Sequence, residues 1–352
     1  MSDDGHQPRD AAQEETTLKE LNRLRNSFQE ARAMMLGVEL GLFDHLTGGP
    51  ATVTEIADVL GLELRGAEIT LDALTALGYL TKDHVGGYAN TSMAETYLVR
   101  SSAKSVAHIV GHSANTLRSW AILDTIVRDG FEAARASRES AAAKPLLTDR
   151  TANRDFIIGM AEVSRDRVAP VVAQLPLGSA RRFVDLGGGP GHYSWEVVQQ
   201  HPEIEAVLVD LPLTIEVAEE QIAARGLSDR IDTIVCDFYA AESLDPIGPA
   251  DVVFISQVLH AESPRANRRL LAKVVPHVRS GGFVVVNENL VDDSRTAPKA
   301  AALFAMNMLA CTPGGRSYTA REIALWLEEA GLEAQPALFI AERTWLIIAR
   351  KP

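Results

Sequence analysis

Cysteine is nearly absent: Cys236 and Cys311 are the only two in 352 residues. Two thiols exclude a disulfide framework and a zinc ribbon. Long apolar runs are missing as well. No stretch approaches the roughly 18 unbroken apolar residues of a membrane span. The opening MSDDGHQPRDAAQEE has no apolar signal core, so the chain reads as soluble and cytoplasmic. Basic residues are in deficit, with 34 Lys and Arg against 47 Asp and Glu and a formal net charge of -13. That balance argues against a protein whose main task is to coat nucleic acid or an anionic membrane. What remains is ordinary globular material, 46% hydrophobic and 23% charged, which excludes collagen-like and disordered classes. The length suggests about two domains.

Residues 1–15 read as a disordered tail. A helical pattern follows, with Leu21, Phe28, Met35 and Leu42 seven apart and Leu24, Ala31 and Val38 between them. This seam of about three heptads fits a core helix and equally a helix packed on a second subunit. Thr52-x-x-Glu55 is a capping box that opens a short helix stopped by Gly61. A second helix carries Ile69, Leu71, Leu74 and Leu77, and Tyr79-Leu80 and Tyr88-Ala89 flank a Gly86-Gly87 turn. Helix, helix, hairpin outlines a winged helix over residues 16–100, and with it a DNA-binding reading. Residues 51–100, however, hold seven acids and three bases, a net of -4, where phosphate binding needs the opposite sign. The module is therefore expected to bind protein. Residues 101–180 are helical in pattern. From 181 to the end, the runs RFVDLG, EAVLVD, IDTIVC, DVVFIS and GFVVVNE alternate with helical stretches. That alternation predicts an α/β fold with a largely parallel sheet, closed by an antiparallel hairpin near 334–349.

The strongest local signal is Val184-Asp185-Leu186-Gly187-Gly188-Gly189-Pro190-Gly191 between a strand and a helix. Glycines 187, 189 and 191 permit a tight turn and close approach to a ligand. The spacing G-x-G-x-G differs from the G-x-G-x-x-G of nicotinamide dinucleotide sites. A carboxylate two residues before the first glycine would repel a pyrophosphate, but it suits a ligand bearing an ammonium and a sulfonium. S-adenosylmethionine has both. The second strand ends at Asp210, followed by Leu211, where an acid can bind ribose hydroxyls. The third ends in Cys236-Asp237-Phe238, where Asp237 can accept from an adenine amino group and Phe238 can cover the ring. Each acid alone could be a helix cap. Three at successive strand ends point to a nucleoside site.

These motifs resemble the class I S-adenosylmethionine-dependent O-methyltransferases of small molecules, in particular the branch with an N-terminal winged-helix dimerisation domain. The resemblance spans about residues 20–350. It rests on VDLGGGPG, VLVDLP, CDFY, DVVFISQVLH, SGGFVVVNENLVDD and GGRSYTAREI. It implies a Rossmann-like seven-stranded sheet with the last strand antiparallel, S-adenosylmethionine as cofactor, a homodimer and a role in secondary metabolism. It also implies His260 as general base, with Glu288 as one flanking acid. Ser256 stands where the family usually has a lysine beside the adenine, and Gln257 is included on the cofactor side. Ser317 occupies the position of the second flanking acid, and Glu262 is a candidate to compensate. His112, Trp120, Phe156, Met160, Met306 and Asn307 are the expected acceptor-pocket residues. No metal is expected, because His108-x-x-x-His112 lacks a third ligand. Histidine suits the task because an activated methyl group needs an aligned acceptor, and a hydroxyl acceptor must also lose its proton. Two alternatives stay open: S- or N-methyl transfer by proximity alone, and a cofactor-sensing winged-helix regulator.

Overall fold

The computed structural model describes residues 11–136, 143–341 and 344–352. The chain divides into two compact units, Met1–Ala114 and Asn115–Pro352.

The first unit begins with helix α1 (Ala11–Glu39), which starts inside the segment expected to be a tail; residues 1–10 lie outside the described residues. The heptad seam splits in two. Val38 and Leu42 are buried, and Met35 packs against the same core, whereas Leu18, Leu21, Leu24 and Phe28 are each more than half exposed. Helix α2 (Leu42–Leu46) and strand β1 (Ala51–Thr52) lead into α3 (Val53–Leu60) and α4 (Leu64–Ala76). The capping box forms, with Thr52 N–H donating to Glu55 at 2.8 Å, and Gly61 stops α3 at φ 65°. Strands β2 (Leu80–Lys82) and β3 (Gly87–Asn90) make the expected hairpin, and β1 adds to β3 as a third strand. Ile56, Leu71, Leu74, Leu80 and Tyr88 close the core. Helix α5 (Ser92–Tyr97) follows, and α6 (Ala107–Trp120) runs across the boundary between the units.

In the second unit, helices α7 (Leu123–Asp129), α8 (Phe131–Arg135), α9 (Arg150–Ser164) and α10 (Val168–Val172) precede the sheet. The doubly wound part runs β4 (Arg182–Leu186), α11 (His192–Gln200), β5 (Glu205–Asp210), α12 (Pro212–Ala223), β6 (Ile231–Val235), β7 (Ala250–Ser256), α13 (Pro264–Val274) and β8 (Val278–Asn289). Then come α14 (Lys299–Cys311), α15 (Ala320–Glu329), β9 (Glu333–Ala334), β10 (Leu338–Ala341) and β11 (Thr344–Arg350). The sheet order is β10-β11-β8-β7-β4-β5-β6, parallel from β6 to β8, with β11 antiparallel to β8 and β10 antiparallel to β11. The short β9 pairs with β11 and adds an eighth strand to the expected seven.

Both sheet faces are covered, which explains the unbroken apolar runs. Val253 and Ile255 pack with Leu270 and Leu271 of α13 and Trp326 of α15. Val252 and Phe254 pack with Val171 of α10 and Val197 of α11. The sequence pattern placed the main seam near residue 180, but the units divide at 114/115. Helices α7 to α10 belong to the sheet unit, and the surface ion pairs Arg150–Glu216 and Arg154–Glu220 join α9 to α12. No helix among the described residues is long and apolar enough to cross a membrane.

Strand order reverses between β5 and β7, on either side of β4, and such a switch point opens a crevice at the strand C-termini. The pairing of β8 with both β7 and β11 fixes the crevice wall. Leu346 of β11 is fully buried in that ladder. Leu346→Ala is expected to cost about 2–5 kcal/mol, read as a lowered midpoint in a denaturant melt.

Candidate active site

The loop after β4 is shaped by its glycines. Gly187 has φ 79°, and a Cβ there would lie 2.5 Å from Val258 Cγ2 and 3.4 Å from Phe238 Cζ. Gly191 has φ 88°, and a Cβ there would meet Trp195 Nε1 at 2.9 Å. Side chains at these two positions would collide with Val258 and Trp195 and force a disfavoured backbone. Beneath the loop lies Asp185, fully buried. Its Oδ2 accepts a hydrogen bond from the Ser194 hydroxyl at 2.8 Å, while Oδ1 has no partner among the described residues. Burial, with a smaller contribution from the Asp210 charge, raises the Asp185 pKa to about 7. A carboxyl group so placed gains most from a neighbouring cation.

Asp210 ends β5 and ties the two strand ends together. Gly189 N–H donates to its Oδ2 at 2.9 Å and Leu211 N–H to its Oδ1 at 2.7 Å, and burial raises its pKa. Asp237 follows β6 at the surface, and its Oδ1 accepts from Tyr239 N–H and Ala240 N–H at 3.1 and 3.0 Å. That turn buries Phe238 against Gly187. Asp185, Asp210, Asp237 and the glycines thus share one rim.

Beyond β7, Ser256 and Gln257 engage the amides of β8. Asn287 Nδ2 donates to Ser256 Oγ at 3.0 Å and to the Tyr193 hydroxyl at 3.1 Å, and Asn289 Nδ2 donates to Gln257 Oε1 at 2.6 Å. Gln257 takes φ 56°, a left-handed conformation uncommon for a side chain of its size. This kink starts the turn that carries His260.

His260 Nδ1 lies 2.9 Å from Glu288 Oε2, and the His260 backbone N–H donates to Glu288 Oε1 at 3.2 Å. Glu288 is buried near the end of β8, on the strand face opposite Asn287 and Asn289. An ionised carboxylate only accepts, so the pair places the proton on Nδ1 and leaves a lone pair on Nε2. The Phe304 ring of α14 meets the imidazole edge-on, with centroids 4.8 Å apart. One turn along α14, Asn307 Oδ1 accepts from Trp120 Nε1 at 2.9 Å. Met306 is exposed on the same helix, and Phe156 and Met160 are half-buried on α9.

The remaining candidates sit elsewhere. Glu288, not Glu262, is the carboxylate hydrogen-bonded to His260. Glu262 has a pKa raised by burial and by Asp237, which places its charge on the side of the β6 loop. Ser317, at the position of the second acid, is buried and donates to Ala301 O at 2.8 Å. His112 belongs to the first unit, and burial lowers its pKa to about 4. Among the described residues, no three His, Cys, Asp or Glu side chains gather as a metal site. Phe304, Tyr193 and Asn287 were not foreseen. The polar Asn287 within the run FVVVNEN was the readable signal.

Comparison with known proteins bears on this geometry. Residues 120–333 match the O-methyltransferase domain model, and residues 22–100 match the O-methyltransferase dimerisation domain. The chain is 35% identical to the 3-hydroxy-5-methyl-1-naphthoate 3-O-methyltransferase of Streptomyces sahachiroi, over 88% of each chain. It is 30% identical to an N,N-dimethyltransferase of Streptomyces rimosus, over 95% of this chain and 96% of that one. Human N-acetylserotonin methyltransferase, solved in complex with S-adenosylmethionine, superposes with a TM-score of 0.78 at 25% identity, covering 100% of this chain and 99% of that one.

The Asp185 shift has a direction in pH. Its folded pKa lies above the ordinary carboxyl value of 3.8, so folding takes up a proton between about 4 and about 7. Stability of the ligand-free protein should therefore fall as pH rises through that window. Asp185→Asn should flatten that part of a melting-temperature profile against pH.

Proposed function

The chain belongs to the O-methyltransferase family and is an S-adenosylmethionine-dependent methyltransferase of small molecules; on that premise we propose that it methylates a hydroxyl group, with His260 as general base oriented by Glu288. The observation that carries this reading is the 2.9 Å contact between His260 Nδ1 and the buried Glu288.

The residues present fit the cofactor. The unpartnered Asp185 Oδ1 suits an ammonium group, and Gly187 and Gly191 hold the loop in a left-handed backbone packed so closely that neither position has room for a side chain. Asp185, Gly187, Gly189 and Gly191 would hold the amino acid end, Asp210 and Leu211 the ribose, and Asp237 and Phe238 the adenine. Ser256 and Gln257 complete that wall. When bound, S-adenosylmethionine supplies a methyl group already activated by a sulfonium.

The protein's own part is to align, to dry and to take a proton. His260 Nε2, bare because Nδ1 is bonded to Glu288, receives the hydroxyl proton. Glu288 stabilises the resulting imidazolium and holds the ring plane. Phe304 fixes the ring from the side and keeps water from it. The Asn307 amide, its oxygen bound by Trp120, presents an NH₂ group to a polar atom of the acceptor. Met306, Phe156 and Met160 supply apolar surface for the rest of that molecule.

A second reading rests on the N,N-dimethyltransferase relative: an amine acceptor, which needs no strong base. We also propose a homodimer formed through residues 16–100. The dimerisation-domain match and the outward Leu18, Leu21, Leu24 and Phe28 of α1 support it.

The test is transfer of labelled methyl from S-adenosylmethionine to a panel of phenols and amines. For a hydroxyl acceptor, His260→Ala should lower kcat by about 10²–10⁴-fold. A loss below tenfold would favour the amine reading. Phe28→Glu should shift the mass measured by light scattering from dimer to monomer; an unshifted dimer would contradict the proposed interface.

A further inference from the structure

We infer that Tyr239 and Asn267 form a polar bridge that positions His260 in response to occupancy of the cofactor rim. The inference deepens the reading of His260 as base and rests on it. Tyr239 lies in the loop after β6 that also carries Asp237 and Phe238. Its hydroxyl donates to Asn267 Oδ1 at 2.7 Å. Asn267 is a fully buried amide on α13. Its Nδ2 donates to Leu259 O at 2.8 Å and to Glu262 O at 3.4 Å, the two residues that bracket the turn of His260. One amide therefore grips the base-bearing turn at both ends and the cofactor-side loop through a phenol.

Both ends of the bridge are stiff. Lys273, on the last turn of α13, donates to Phe238 O, Tyr239 O and Ala241 O at 2.6, 3.2 and 2.7 Å, using all three ammonium hydrogens on that loop. The base turn is braced by Arg316 N–H, which donates to His260 O at 2.8 Å, and by the Tyr318 hydroxyl, which donates to Glu262 O. The loop and the turn of His260 are thus joined through α13. The Tyr239 pKa is pushed above its usual value by burial and by the Glu262 and Glu288 carboxylates, so its hydroxyl remains a donor throughout the working pH range.

The placement runs against expectation for the helix. Asn267, Leu270, Leu271 and Val274 share the buried face of α13, where an apolar residue would pack without needing partners. A buried amide is costly unless bonded, and here both its oxygen and its nitrogen are bonded to elements that flank the reaction site. Tyr239 and Asn267 touch neither cofactor nor acceptor in this account; they are positioning residues.

The test uses the full-length protein, with S-adenosylhomocysteine as the probe and the nuclear magnetic resonance signals of His260 as the readout. Saturating probe should displace the ring and amide signals of His260. In Tyr239→Phe, which removes only a hydroxyl, the displacement at saturation should fall at least twofold. Asn267→Asp keeps the acceptor for Tyr239 but loses the donor to Leu259 O, and should reduce it likewise. With an acceptor in hand, kcat of Tyr239→Phe should fall about two- to tenfold, the kinetic equivalent of one hydrogen bond, with a smaller change in KM for S-adenosylmethionine. An equal displacement in both variants, or none in the unsubstituted protein, would overturn the bridge. Either result leaves the base assignment to the His260→Ala kinetics, so the two claims fail separately. Should one variant not fold, the other decides.

Discussion

The site depends on one hydrogen bond, between His260 Nδ1 and Glu288 Oε2. It fixes the tautomer of the imidazole and so decides which nitrogen keeps its lone pair. It also joins two elements that are neighbours only through the sheet. His260 sits in the turn after β7 and Glu288 near the end of β8, and the parallel pairing of these strands brings their ends together. That pairing in turn requires a core on both faces of the sheet, which is why β7 and β8 read as nearly unbroken apolar runs. The polar residues that interrupt them, Asn287, Glu288 and Asn289, cluster at the end that faces the crevice.

The proposed cofactor rim is built on different principles. Three strand ends contribute a carboxylate each, and the loop between β4 and α11 contributes backbone made accessible by Gly187 and Gly191. Burial raises the pKa of both Asp185 and Asp210, and a neighbouring cation would favour the ionised form of each. The acidity of the chain, which as a sum argues against nucleic-acid binding, has a local meaning here as well.

These two parts differed in how readable they were. The rim lies in short contiguous motifs, VDLGGGPG, VLVDLP and CDFY, whose spacing and strand context carry the chemistry. The winged-helix outline, its hairpin and the parallel sheet were also legible, because each rests on local periodicity and turn residues. The proposed base, His260, was not legible in this way. It is a lone histidine after a strand, and only the sheet register brings Glu288, 28 positions away, and not the nearer Glu262, to its ring. The domain boundary was hidden for the same reason. Helices 101–180 look like one separate layer, whereas the units divide within α6 and place α7 to α10 with the sheet. The division of α1 into a buried and an exposed half was likewise invisible, because a heptad seam records which residues are apolar and not what covers them.

The central claim concerns the protonation geometry of one ring, and it can be observed without knowing the acceptor. Protein carrying nitrogen-15 histidine, studied by long-range proton–nitrogen correlation at a pH where the imidazole is neutral, reports the tautomer of His260 directly. The account predicts a protonated Nδ1 and a bare Nε2. A protonated Nε2 with a bare Nδ1 would contradict it, because the nitrogen offered to the acceptor would then have no lone pair to take a proton.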